Sequence, residues 1–181
     1  MRTVLALDVA TVSGWAFGPI VPGQGPSVSG HHRFGREGED DPRVWAAALV
    51  WLNQMIAVHN PTIVAIEAPI NTAAPSGGSN AATLGRLIGL QAIIRAVVEI
   101  KLPVSAKLIA VQSARKLFIG HGNLPSKQAK AEVQARCIDL GWLDYEGMQP
   151  DRADACCLWG KACADADPDF FAAFPKIKRR A

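Results

Sequence analysis

Four acidic residues stand where the pattern of the chain predicts the ends of secondary-structure elements. Asp8 follows the apolar run 4–7, and Glu67 lies near the end of a second apolar run, "TIVAIEAP" (62–69). Asp151 and Asp154 are three residues apart in a helical pattern, which places both on one helix face. If the two strands are parallel neighbours, Asp8 and Glu67 emerge at the same sheet edge, where open α/β sheets bind ligands.

The chemistry expected of these carboxylates is metal-assisted phosphodiester cleavage. Four converging carboxylates cannot all be ionised without cations between them, and Mg²⁺ or Mn²⁺ is suited to oxygen ligands. Two such ions about 3.5–4 Å apart make a hydrolytic centre. Taken singly, Asp8 could be a turn residue and Asp151 a helix N-cap, but an acid at Glu67 opposes its apolar surroundings. We expect Asp154 to face Glu67 rather than solvent.

The elements that position these acids follow from apolar periodicity and from Pro and Gly punctuation. Strands are predicted over 3–8, 14–20, 27–34, 62–69 and near 104–111, and helices over 43–59, 81–101, 113–118, 126–140 and from 151 onward. A hairpin followed by parallel strands joined by helices predicts an α/β fold with a mixed five-stranded sheet flanked by helices. Residues 1–165 are predicted to form one domain and residues 166–181 a basic C-terminal tail, with a polar loop over 71–80.

Composition excludes several classes of protein. The 181-residue chain has a net charge of +3, which permits a polyanionic partner without requiring one. It contains no 18-residue apolar run, so we expect no membrane span. Its four cysteines lack CxxC spacing and are interpreted as small apolar residues in a reducing cytoplasm rather than as disulfides or a zinc site.

Five motifs in collinear order resemble the RuvC family of Holliday junction resolvases. "LALDVATVSGWAF" (5–17) resembles the family's first strand and turn, and "VAIEAP" (64–69) resembles its Glu-bearing strand. "NAATLGRLIGLQAII" (80–94), "VQSARKLFIGHGNLPSKQAKAEV" (111–133) and "PDRADACCLWGKA" (150–162) resemble its next helix, its basic segment and its C-terminal Asp-x-x-Asp helix. The resemblance, with an Ala-rich composition, favours a bacteriophage or diverged bacterial member.

The resemblance implies an RNase H-like fold and an Mg²⁺-dependent endonuclease that nicks branched DNA in recombination and repair, with Mn²⁺ able to substitute. The family's acidic metal ligands map onto Asp8, Glu67, Asp151 and Asp154. Its basic segment maps onto either Arg115 or Lys116, and onto Lys127, with one extra residue between Gly120 and Lys127. The position of the family's wedging aromatic residue falls on Ile70.

Further expectations concern partners. Arg86, Lys116, Lys127 and Lys130 are candidate phosphate contacts, with a solvated helix face as the alternative for each. Gly85 and Gly89 are spaced to let a second helix approach. The resemblance to the RuvC family, whose members form dimers, favours a homodimer over simple core packing. The alternatives to a resolvase are an RNA-processing or broader branched-DNA nuclease, a non-catalytic junction-binding protein, and a sugar kinase or actin-like ATPase. The last class needs a second lobe for which the chain has no room.

Overall fold

A computed structural model describes residues 1–69, 81–146 and 149–175. The strands are β1 (Thr3–Asp8), β2 (Val12–Pro19), β3 (Val28–Arg33), β4 (Ile63–Glu67) and β5 (Lys107–Ile109). The helices are α1 (Asp41–His59), α2 (Ala81–Lys101), α3 (Val111–Ile119), α4 (Ser126–Asp139) and α5 (Pro150–Ala166), followed by a short 3₁₀ helix (Phe170–Ala173). The predicted elements are all present, with bounds that differ from the prediction by at most three residues.

The five strands form one mixed sheet in the order β3-β2-β1-β4-β5. β1 pairs antiparallel with β2 and parallel with β4, and β4 pairs parallel with β5. The α/β fold with a mixed five-stranded sheet is therefore confirmed. The parallel pairing of β1 with β4 brings the carboxyl ends of both strands to one edge of the sheet.

Side-chain alternation divides the core into two layers, because successive residues of a strand point to opposite faces. Val4 and Ala6 of β1 pack on one face with α3, α4 and α5. Leu5 and Leu7 pack on the other face with α1 and α2. Helices therefore cover both sides of the sheet.

α5 lies directly on β1 and β2 and is buried over nearly its whole circumference. Most of its buried residues are small, and all four cysteines of the chain are free and buried, three of them in this helix. Small side chains let a helix axis come close to a sheet. The cysteines thus serve as packing residues of the core layer on this face of the sheet.

The packed domain extends beyond the boundary predicted at residue 165. Phe170 in the 3₁₀ helix is fully buried in the α5 layer, and Phe171 and Phe174 pack against the same cluster. Three aromatic rings within five residues bury enough apolar area to order this segment, so the sequence prediction of a tail from residue 166 is wrong for residues 166–174. Residues 176–181 lie outside the described residues, as do Ile70 and the predicted loop 71–80.

Helix α2 is long and apolar enough to cross a membrane by length and composition alone, a test that core helices of soluble proteins also pass. In the fold, α2 contributes Leu90, Ile94 and Val98 to the core beneath the sheet. Its outer face carries exposed apolar residues, among them Ile88 at 53% exposure. The apolar character of α2 thus has two sources, a core face and an exposed face.

Candidate active site

Asp8 and Glu67 end neighbouring parallel strands. Leu7 pairs with Ile66 in the β1–β4 register, so the residue that follows each of them reaches the same edge of the sheet. Gln91 of α2 donates a hydrogen bond from Nε2 to the Glu67 carbonyl oxygen at 3.0 Å, which ties the end of β4 to the helix below it. The two strand-borne carboxylates are therefore placed side by side.

The turn after Asp8 is closed by Ser13. Its hydroxyl donates to the Ala10 carbonyl oxygen at 2.8 Å, and the Ala10 backbone N–H donates to Ser13 Oγ at 3.1 Å. Ser13 is 1% exposed, so these paired bonds satisfy a buried hydroxyl and hold the turn rigid. The turn returns the chain as β2, where Gly14 pairs with Asp8.

Gly14 is the point where the first turn of α5 contacts the sheet. A Cβ atom at this position would lie 1.8 Å from the Asp151 carbonyl oxygen and 2.4 Å from its carbonyl carbon. Only a residue without a side chain allows this approach. Because Gly14 is paired with Asp8, the contact places the Asp-bearing turn of α5 beside the ends of β1 and β4.

The convergence of acids raises the pKa of Asp8 well above its ordinary value. Burial is the largest cause, followed by the hydrogen bond with the Glu67 carboxyl and by repulsion from Glu67, Asp154 and Asp151. A carboxyl in this setting favours its protonated form, because ionisation adds a charge among like charges in a poorly solvated place. The other three predicted acidic residues are thus within electrostatic reach of Asp8.

Asp154 is 7% exposed and faces the interior of this cluster. Burial raises its pKa, opposed by Arg115 and Lys130, and the Glu67 charge raises it further. Arg115 of α3 lies 3.6 Å from Asp154 Oδ1, and Lys130 of α4 lies 3.7 Å from Oδ2. The Asp154 carboxylate therefore lies against Arg115 and Lys130 and within electrostatic reach of Glu67.

The donor set is chemically suited to a hard divalent cation. Carboxylate oxygens from β1, β4 and α5 supply only the ligand type that Mg²⁺ and Mn²⁺ prefer. Within residues 1–69, 81–146 and 149–175, no three Asp, Glu, His or Cys side chains are already spaced to hold an ion. The acids instead form a hydrogen-bonded Asp8–Glu67 pair and an Asp151–Asp154 pair neutralised by basic side chains.

The architecture is that of known resolvases. Over 91% of this chain and 96% of the other, it superposes on Thermus thermophilus RuvC with a TM-score of 0.65 at 17% sequence identity. The chain has a RuvC-like resolvase fold. T. thermophilus RuvC in complex with Holliday junction substrate matches over 88% of this chain and 91% of the other, with a TM-score of 0.64 at 15% identity. The yeast mitochondrial Holliday junction resolvase Ydc2 matches over 95% and 84%, with a TM-score of 0.61 at 14% identity. No protein-family model and no curated protein sequence matches this chain.

Within this RuvC-like fold, the basic residues named from the sequence fall into three groups. Arg115 and Lys130 reach the acidic cluster, whereas Lys116 and Lys127 are exposed on α3 and α4. Arg86 is used inside the chain, because its guanidinium donates to Asp41 Oδ1 and to the Glu39 carbonyl oxygen, both at 2.6 Å. Of the two adjacent residues Arg115 and Lys116, Arg115 is the one that lies within ion-pair distance of Asp154.

Asp151 does not cap α5. The N-cap is Gln149, which makes no side-chain capping bond, and Asp151 is the second residue of the helix after Pro150. Its carboxylate faces Lys130 Nζ at 3.5 Å instead. The capping alternative from the sequence is therefore wrong, since Pro150 takes the first helical position and the N-cap falls on Gln149, two residues before Asp151.

Sequence reasoning missed the roles of Ser13 and Gly14 in this RuvC-like site. Both stand in the stretch that follows Asp8, but their functions depend on contacts with Ala10 and with α5. Ser is a common turn former, so the hydrogen bonds between Ser13 and Ala10 could have been predicted from the local sequence. The Gly14 contact had no local signal, because its partner is more than one hundred residues away in the chain.

Proposed function

We propose that the chain is a divalent-metal-dependent endonuclease that nicks branched DNA, with Holliday junctions as the leading substrate. The observation that carries the proposal is the meeting of carboxylates from β1, β4 and α5, with Arg115 and Lys130 against Asp154. A RuvC-like fold whose relative from T. thermophilus is described with Holliday junction substrate supports this choice of DNA structure.

In this proposal, Asp8, Glu67 and Asp154 hold the metal, and Asp151 assists from the rim of the site. Mg²⁺ or Mn²⁺ bound there would activate the attacking water and stabilise the leaving oxygen. Arg115 is 13% exposed and fixed against Asp154, so it keeps that carboxylate oriented. Lys130 lies nearer the surface, where a backbone phosphate can reach it. Gly14 and Ser13 hold the strand turn and the helix in register.

A single substrate panel tests the function. Purified protein is incubated with labelled four-way junctions, forks, flaps, linear duplexes and RNA-containing equivalents, with Mg²⁺, with Mn²⁺ or with EDTA. We expect metal-dependent nicking of the junction in symmetric positions and little cleavage of linear duplex. Preference for RNA-containing strands would assign an RNA-processing nuclease of the same fold, and junction binding without cleavage would assign a non-catalytic binding protein.

Lys116 and Lys127 are proposed as contacts to the DNA backbone, because both are exposed on the helices that also carry Arg115 and Lys130. Replacing either by Met should weaken binding to all sequences alike and lower the slope of log K against log salt by about 0.9. Fluorescence anisotropy with a four-way junction in EDTA measures the slope.

Lys101→Met is the matched control for these two lysines. It removes the same charge from an exposed residue ten positions beyond Gln91 on α2, about 15 Å along the helix from the site. The control should leave the slope unchanged. If both test variants keep the wild-type slope, Lys116 and Lys127 do not contact the DNA backbone and lie on a solvated helix face.

A homodimer through the outer face of α2 is the proposed assembly. Ala81, Gly85, Ile88 and Ala92 are exposed at helical spacing, and Gly85 has open space where a side chain would be. Gly89 has another use, because a Cβ there would lie 2.3 Å from the Trp45 ring of α1. A two-fold axis along this face would present two sites to one branched substrate.

Ile88→Arg should convert a dimer to a monomer, because it places a charge at the centre of this apolar face. Size-exclusion chromatography with light scattering gives the mass over a range of concentrations. Ile100→Arg is the control, since Ile100 is 78% exposed in the last turn of the same helix. Equal masses for wild type and Ile88→Arg would exclude this face as the interface.

A further inference from the structure

Lys130 of α4 bridges the carboxylates of Asp151 and Asp154 on α5. Its Nζ lies 3.5 Å from Asp151 Oδ1 and 3.7 Å from Asp154 Oδ2. The two acids are one helical turn apart on α5, and the lysine approaches from α4. A single ammonium thus lies against both carboxylates of a pair that would also attract a divalent cation.

Arg115 and Lys130 differ in how easily their side chains can move away from the Asp151–Asp154 pair. The Arg115 side chain is 13% exposed, whereas the Lys130 side chain is 39% exposed. Lysine is a compact charge on a flexible four-carbon stem, so Lys130 can swing toward solvent without a change of the backbone. The Arg115 side chain is more confined, because it is largely buried and lies on α3, which packs against α4 and α5.

An ammonium and a hard divalent cation compete for the same oxygens. Mg²⁺ requires ligand oxygens at 2.0–2.1 Å in octahedral geometry, and a second cation at hydrogen-bonding distance from those oxygens repels it. A DNA phosphate offers Lys130 an alternative anionic partner at the surface of the site. Binding of phosphate by Lys130 and binding of metal by the pair then favour each other, and this coupling is reciprocal.

We propose that Lys130 is an exchangeable counter-ion, paired with Asp151 and Asp154 in the free protein and transferred to the DNA backbone on substrate binding, so that DNA promotes metal loading. The proposal rests on the proposed function, because it takes the carboxylate cluster as the metal site. It adds that the site is closed by the protein's own cation until substrate arrives.

Mn²⁺ binding to the DNA-free protein tests the first half of the exchange. Free Mn²⁺ is measured by electron paramagnetic resonance for wild type, Lys130→Met, Lys130→Gln and Lys161→Met. Lys161 pairs with Asp165 on α5, seven residues beyond Asp154, so its loss removes an equal charge and a like ion pair. We expect both Lys130 variants to bind Mn²⁺ about three- to tenfold more tightly, and Lys161→Met to match wild type.

DNA binding in EDTA tests the second half, with no metal present and therefore no metal-dependent cleavage. Lys130→Met should lower the salt slope of four-way-junction binding by about 0.9, as expected for one lost phosphate contact. Lys161→Met should leave it unchanged. An unaltered slope in Lys130→Met would overturn the transfer of Lys130 to the DNA.

Asp8→Asn separates failure of this proposal from failure of the proposed function. Loss of Mn²⁺ binding in Asp8→Asn together with wild-type affinity in the Lys130 variants would overturn the counter-ion role alone. Equal Mn²⁺ affinity in wild type, Asp8→Asn and the Lys130 variants would remove the metal from this cluster and overturn both. A gain in Lys161→Met as large as in Lys130→Met would attribute the effect to net charge and also overturn the proposal.

Discussion

Replacing Asp8 by Asn should abolish cleavage and at the same time stabilise the metal-free protein at neutral pH. Cleavage should fall by more than about 100-fold, the upper cost of losing a residue that only supports a metal ligand. The gain in stability follows from the raised pKa of Asp8, which burial and the neighbouring carboxylates cause. Asn keeps the shape of the side chain and removes the charge that these surroundings disfavour.

The pH dependence of stability gives this prediction its sign. Because the pKa of Asp8 is higher in the folded than in the unfolded chain, the folded state holds more protons between the two pKa values, and stability falls as pH rises through that range. At pH values above the pKa of Asp8 in the folded state, its contribution to the free energy of unfolding no longer changes with pH. The wild type should therefore be more stable near pH 4 than at pH 7 by the Asp8 contribution, and Asp8→Asn should remove that difference.

Thermal unfolding in EDTA at a series of pH values measures the effect. A relief of about 1.4 kcal/mol for each unit of pKa shift corresponds to a rise in Tm of roughly 3–6 °C at pH 7 for a chain of this size. Glu37→Gln removes one charge from an exposed loop residue and serves as the control. A lower Tm for Asp8→Asn at pH 7, or cleavage near the wild-type rate, would remove Asp8 from the proposed site.

Replacing Gly14 by Ala should also eliminate most of the activity, although Gly14 contributes no chemical group. The added methyl would occupy the place of the Asp151 carbonyl group, so the first turn of α5 must move away from β2. That turn carries Asp151, and Asp154 follows one turn later. A displacement of about 1 Å at a reacting centre can cost 100-fold in rate, and overpacking should cost about 1–3 kcal/mol of stability.

Gly18→Ala provides a matched control on the same strand. A Cβ at Gly18 would lie 2.8 Å from the Ser27 backbone nitrogen and 3.2 Å from the Trp159 ring, which also forces a shift. Gly18 pairs with Val4 at the opposite end of β1 from Asp8. Both variants should lose stability by denaturant unfolding, but only Gly14→Ala should lose Mn²⁺ affinity and cleavage. Equal cleavage by the two folded variants would show that Gly14 has a purely structural role.

The sequence by itself determined the order of the elements and the positions of the acids along them. Apolar runs of four to six residues, helical periodicity and Pro-Gly punctuation are local signals. They predicted that Asp8 and Glu67 end two strands and that Asp151 and Asp154 share a helix face. The parallel pairing of β1 with β4 then follows from the preference for helical connections between parallel strands.

Tertiary structure alone decided which side chains meet these acids. Arg115 and Lys116 are adjacent in sequence, but the angle at which α3 packs turns only Arg115 toward Asp154. Lys130 rather than Lys127 reaches the cluster for the same reason on α4. The side-chain direction on a helix changes by about 100° per residue, so a basic residue can be placed only when the helix orientation is known.

Close approach between distant segments was likewise invisible in the sequence. Gly14 accommodates the Asp151 backbone, and Gly89 accommodates the Trp45 ring of α1 in the same chain. The sequence analysis assigned the aromatic residues after α5 to a basic tail, but Phe170 is fully buried in the structure. These outcomes depend on the free energy of packing between elements far apart in the chain, which no local pattern of residues encodes.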